Sequence, residues 1–98
     1  MHHISEIQIV PIKPQDGLVG FASFVIDNAL HLSSIGIVTR PQGGYRLTYP
    51  TRKSQIGSFH IFYPINKETA ERIEQAVIAR FEEVTKSYVR HHSTYTEQ

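Results

Sequence analysis

Five basic side chains, Arg40, Arg46, Arg52, Lys53 and Lys67, fall within residues 28–67, a window without a single Asp or Glu. The rest of the chain carries five bases and all nine acids, so a net charge of +1 conceals a middle of +5 between flanks that sum to −4. Cationic groups with no carboxylate nearby are free to meet phosphate oxygens and to release the counterions condensed on a nucleic acid. Arg52 and Lys53 are adjacent in Pro50-Thr51-Arg52-Lys53-Ser54-Gln55-Ile56-Gly57-Ser58, a polar stretch that its proline and glycine mark as a mobile loop. A solvated loop without a ligand has the same composition, so charge alone leaves both readings open. Arg46 lies between Tyr45 and Leu47, and Arg40 opens the loop before it. Pairing of the strands on either side of that loop would join both to Arg52 and Lys53 as one basic edge. Exposed, Tyr45 and Tyr49 would offer rings for base stacking, but their alternation with Arg46 and Thr48 assigns them to a core face.

Other chemistries find little support. The six histidines include no pair four apart beside a carboxylate, the helical arrangement of a zinc hydrolase, and no metal or cofactor is expected. Asp27, His31 and Ser33 make a triad on paper, but no nucleophile elbow surrounds either Ser33 or Ser34. Gly43-Gly44 lacks the lysine of a phosphate loop. The chain has no cysteine, which excludes disulfides and thiolate sites, and the reading is of a protein that is not an enzyme.

These bases need a scaffold, and it is organised around one helix, from Asn66 to about Tyr88. Ala70, Ile73, Val77, Phe81, Val84 and Tyr88 recur at spacings of three and four, which puts one apolar stripe along it. Asn66 can cap its first turn, and Pro64 discourages an earlier start. On the outer face Glu68 with Arg72, and Glu82 with Lys86, have the i,i+4 order of helical ion pairs. The stripe must lie on a sheet, and strand patterns precede it. Residues 5–13 alternate and then meet Pro11, as an edge or bulged strand does. Asp16-Gly17 is a hairpin turn signal. Leu18–Asp27 is apolar on both faces, as a central strand is, with Phe21, Ser23 and Val25 opposite Ala22, Phe24 and Ile26. In Leu30–Thr39 the apolar phase shifts from Leu30 and Leu32 to Ile35 and Ile37, which requires a bulge near Ser33-Ser34. Tyr45–Tyr49 and Phe59–Tyr63 complete the strands, and the polar run 89–98 reads as a fraying tail after a single domain, 1–88.

The sequence resembles the SpoVG family of bacterial septation and sporulation regulators. Ile26-Asp27-Asn28-Ala29-Leu30 is similar to the family's Phe-Asp-Asn-Ala-Phe, Tyr49-Pro50-Thr51-Arg52-Lys53 to its Met-Pro-Ser-Lys-Arg, and Tyr63-Pro64-Ile65-Asn66 to its His-Pro-Ile-Asn. This chain departs from the family pattern at Ser34-Ile35-Gly36-Ile37, where a charged pair is usual, and at Ile61-Phe62, where an acid is common. The resemblance implies an α+β fold, a twisted antiparallel sheet of four to five strands with a C-terminal amphipathic helix packed on it. It also implies a homodimer that binds DNA, and in some members RNA, in gene regulation. Arg52 and Lys53 then become the nucleic-acid contacts, supported by Arg46 and Arg40.

A homodimer is expected on physical grounds too, because one helix covers only one face of a sheet in a chain that is 40% apolar. With no long apolar run and no signal-peptide pattern at Met1-His2-His3-Ile4-Ser5, the expected location is the cytoplasm and no membrane contact is foreseen. The competing reading is a protein-interaction module that uses the sheet edge and helix, with the basic residues serving solubility. Phosphate-driven binding weakens steeply with salt, and an apolar interface does not.

Overall fold

Asp16 and Gly17 both take positive φ, 53° and 88°, and turn the chain back in a two-residue hairpin that pairs Gln15 with Leu18. The turn joins β1 (Ile4–Gln15) to β2 (Leu18–Ile26), and β3 (Leu30–Thr39) and β4 (Tyr45–Thr48) follow. These four form an antiparallel sheet in the order β1-β2-β3-β4, with β2 inside and β1 at an edge, as its prolines require. A separate two-stranded sheet, β5 (Thr51–Ser54) and β6 (Gly57–His60), precedes the helix α1 (Lys67–Thr96). The computed structural model describes the backbone of residues 2–96 and the side chains of residues 2–86. Among the described residues no helix is long and apolar enough to cross a membrane.

Of four register shifts in the sheet, the two nearest its centre keep apolar residues on the core side. In β3 the register passes from Ala22↔Ile35 to Phe24↔Leu32, so Ser33 and Ser34 together face Ser23, and Ser34 has φ 63°. This is the predicted phase change: it returns Ile35 and Ile37 to the face on which Leu32 packs. A second bulge, not foreseen in position, sets Glu6 and Ile7 of β1 opposite Phe24, with Glu6 at φ 50°. It keeps Ile4, Ile7 and Ile9 all against the core.

Among the described residues the buried apolar side chains are Ala22, Phe24, Ile35, Ile37 and Leu47 from the sheet and Ile73, Val77 and Phe81 from the helix. Burial of each large side chain here contributes about 1.5–3 kcal/mol. Phe81 fits because β2 has no side chain beneath it. A Cβ on Gly20 would stand 3.2 Å from Phe81 Cε1 and 3.1 Å from the Val10 carbonyl oxygen. The Phe81 ring also meets Tyr45 edge-on, with centroids 5.0 Å apart.

The helix begins as predicted, with the Asn66 side-chain oxygen accepting the Thr69 N–H at 2.8 Å. It continues to Thr96, beyond the Tyr88 limit set by the stripe, and the side chain of Tyr88 itself lies outside the described residues. The outer-face ion pairs also differ from those expected. Among the described residues Lys67 meets Glu71 at 3.9 Å and Arg80 meets Glu83 at 3.7 Å, whereas neither Glu68–Arg72 nor Glu82–Lys86 closes. Exposed side chains gain too little from such pairs for spacing to select one partner over another.

Candidate functional site

The stretch Pro50–Ser58, read from its composition as a loop, is instead most of a hairpin. β5 and β6 pair as Thr51↔His60, Arg52↔Phe59, Lys53↔Ser58 and Ser54↔Gly57, closed by Gln55 and Ile56. Gly57, at φ 137°, supplies backbone that other residues rarely adopt. The Ser54 hydroxyl donates to the Gly57 carbonyl at 3.1 Å and accepts the Ile56 N–H at 3.3 Å. At the base, the Ile61 N–H donates to the Pro50 carbonyl at 2.8 Å. All eight strand residues are exposed, so no apolar alternation marks these strands in the sequence.

Strand alternation separates the two basic neighbours. Lys53 shares a face of the hairpin with Thr51, Ser58 and His60, while Arg52 shares the other with Phe59, its direct cross-strand partner. Arg46 is exposed on the side of the four-stranded sheet away from the helix. It lines an open concavity there with Phe21, Ser34, Thr48, Thr51 and His60. The structure therefore brings Arg46 beside the Lys53 face of the hairpin. Arg40 turns the other way: its guanidinium donates to the Tyr45 carbonyl and to Glu74 Oε1 on the helix, each at 3.0 Å. β3 and β4 do pair, but the basic edge expected from that pairing divides between the two sides of the sheet. Among the described residues no carboxylate pairs with Arg46, Arg52 or Lys53.

Tyr45 and Tyr49 are core-side residues, as their alternation predicts. Tyr49 packs edge-on against Phe62, with centroids 6.1 Å apart. Burial pushes its hydroxyl up to about 12, and the Glu74 charge adds to the shift. The exposed rings are others, Phe59 at 49%, Tyr63 at 56% and Phe21 at 39%. The sequence places Phe59 in a strand without revealing its exposure, because its polar neighbours Ser58 and His60 give it the same alternation as a core-facing ring.

Asp27, the acid of the paper triad, has another task. One carboxylate oxygen meets His2 Nδ1 at 2.7 Å, and the other accepts the His3 N–H at 2.8 Å. The Asp27 N–H in turn donates to the His3 carbonyl at 2.7 Å. The His3 N–H bond, then the His2 side chain, holds the carboxyl below its ordinary value. Asp27 and Asn28 take φ 55° and 52°, values that Asp and Asn tolerate better than most residues, so this acid ties the start of β1 to the β2–β3 turn. Among the described residues no three His, Asp or Glu side chains gather as a metal-ligand set.

Comparison with known proteins gives a consistent result. A family model described as SpoVG matches residues 1–83, from the His2–Asp27 contact to most of the stripe of α1. The chain is 30% identical over 82 residues to a relative from Caldicellulosiruptor bescii, covering 83% of this chain and 92% of that one. It is 28% identical over 82 residues to a Phytoplasma australiense protein, covering 83% and 84%. With an Archaeoglobus fulgidus protein the identity is 27% over 84 residues, covering 85% and 98%. The names of all three relatives carry SpoVG with a provisional assignment to septation.

Proposed function

The chain belongs to the SpoVG family, and from that premise we propose that it is a cytoplasmic regulatory protein that binds DNA, with RNA as a second ligand class, and acts in septation. The septation role comes from the relatives' names. The observation that carries the binding role is the β5–β6 hairpin. It buries none of its strand residues, and among the described residues Arg52 and Lys53 have no carboxylate partner. Arg46 supports the Lys53 face, and Arg40 contributes less because Glu74 meets its charge. The helix is a poor reader of phosphate, since residues 68–83 carry five acids against two bases.

The protein acts as a homodimer in this reading. Helix α1 covers one face of the sheet, and the other leaves Phe21 at 39% and Val10 at 60% exposed, apolar surface that a second copy would cover. Two hairpins related by a two-fold axis would then meet one nucleic acid at two places. The test is a binding titration at several salt concentrations with the double variant Arg52→Ala, Lys53→Ala, after its circular dichroism is matched to the parent. Binding should weaken strongly, and the salt dependence should flatten by about four phosphate contacts per dimer. Unchanged affinity and slope would favour the protein-interaction reading.

A further inference from the structure

Building on that reading, we infer that the β5–β6 hairpin takes single-stranded nucleic acid, stacking an unpaired base on Phe59 while Arg52 holds the neighbouring phosphate.

The argument begins with what each side chain can recognise. Phenylalanine has no donor or acceptor, so at a base edge it can make only apolar contact with a thymine methyl. Its larger offer to a nucleic acid is stacking on a base face, and in a duplex those faces are covered by neighbouring base pairs and reached only by prising a step apart, at a cost in unstacking energy. Phe59 is 49% exposed in an element that buries none of its strand residues, so packing does not account for an aromatic at this position. Arg52 stands directly opposite on the same face. Cross-strand partners of this kind hold their Cβ atoms about 4.5–5.5 Å apart, which places guanidinium and ring within reach of one nucleotide's phosphate and base. An exposed ring beside a cation is the combination by which proteins bind single strands.

The opposite face repeats the pattern less tightly. Lys53 lies there with His60, whose ring meets exposed Tyr63 at 5.0 Å. An apolar protein partner would use Phe59 equally well, but residues 28–67 contain no acid and the residue facing Phe59 is an arginine, so the complementary partner is an anion with flat rings.

The chain has no tryptophan, so Phe59→Trp would place a single indole reporter at the stacking position. The experiment uses the full chain with a labelled fifteen-nucleotide oligothymidylate and a mixed-sequence duplex of equal length, read by anisotropy and by indole emission. The parent should prefer the single strand. Phe59→Ala should lose about tenfold on it, with little change on the duplex or in salt slope, because stacking releases no counterions. Phe59→Trp should retain affinity, and its emission should be quenched by the oligothymidylate and not by the duplex. Equal binding of both forms with Phe59→Ala silent would overturn the inference while leaving nucleic-acid binding intact. Binding of neither form would overturn both. A Phe59→Ala protein that sediments differently from the parent would show that the ring serves an interface between copies, which also overturns it.

Discussion

The four-stranded sheet with its helix and the small β5–β6 hairpin are both built from antiparallel strands, yet they owe their order to different things. In the larger unit Phe24, Ile35, Ile37 and Val77 are fully buried, and the bulges at Ser33-Ser34 and Glu6-Ile7 keep apolar residues inward. In the hairpin no strand residue is buried, and what holds it is ladder bonding, the Ser54 contacts across its turn and the Ile61–Pro50 bond at its base. Residue identity in the first unit answers to packing. In the second it is free to answer to a ligand, which is why the bases and an exposed ring can stand there at little cost to the fold.

The strongest way to break this contrast is to remove Phe81, which touches both the bare stretch of β2 at Gly20 and the Tyr45 ring. Phe81→Ala should destabilise the domain by about 3–5 kcal/mol in a denaturant titration. A loss under about 1 kcal/mol would mean that the helix is not what orders the sheet.

A gentler probe is alkaline pH. An unfolded tyrosine releases its proton near 10.0, whereas folded Tyr49 holds it to about 12, so unfolding releases a proton in that window and stability falls as pH rises through it. Tyr49→Phe should flatten this decline in melting curves, and an equal decline in both proteins would place the effect elsewhere.

Acid probes the junction of the two termini of the β1–β2 pair. Folded Asp27 titrates below 3.8, so its contribution is present above that pH and is lost as pH falls toward the folded value. Asp27→Asn keeps the tolerance for positive φ and removes the charge. The variant should be slightly less stable than the parent at neutral pH, and the difference should close as pH falls from 3.8 toward the lower folded value. A stability difference that persists in acid would assign the effect to geometry instead.

The smallest effect is expected in the hairpin itself. Ile56, 91% exposed in the turn, can become serine with a stability change of no more than about 0.5 kcal/mol. A larger loss in the same titration would show that the hairpin leans on something and would close the gap between the two units.

The same contrast explains what could be read from the sequence. Where burial imposes a period, the pattern is legible: the Ser33-Ser34 bulge, the two-faced central strand and the inward tyrosines follow from apolar spacing, and the Asp16-Gly17 turn and Asn66 cap from local chemistry. The hairpin offers no such period, and Pro50 and Gly57 read as breakers though they serve as its base and turn. Contacts between distant residues leave no local trace. Arg40 finds Glu74 across 34 positions and Asp27 finds His2 across 25, so one base is drawn from the basic group and one acid from a triad that exists only on paper.

The prolines and the bulge of β1 bear on how the protein behaves when concentrated. An outer strand with a regular backbone is a template on which further chains can add, and from there fibres grow. β1 lacks an N–H to offer at Pro11 and Pro14, and Glu6 twists its backbone out of register near the other end. Both features disfavour growth from that edge without any partner to cap it. An open face with Phe21 and Val10 exposed thus lies beside an edge strand that is a poor template for further chains.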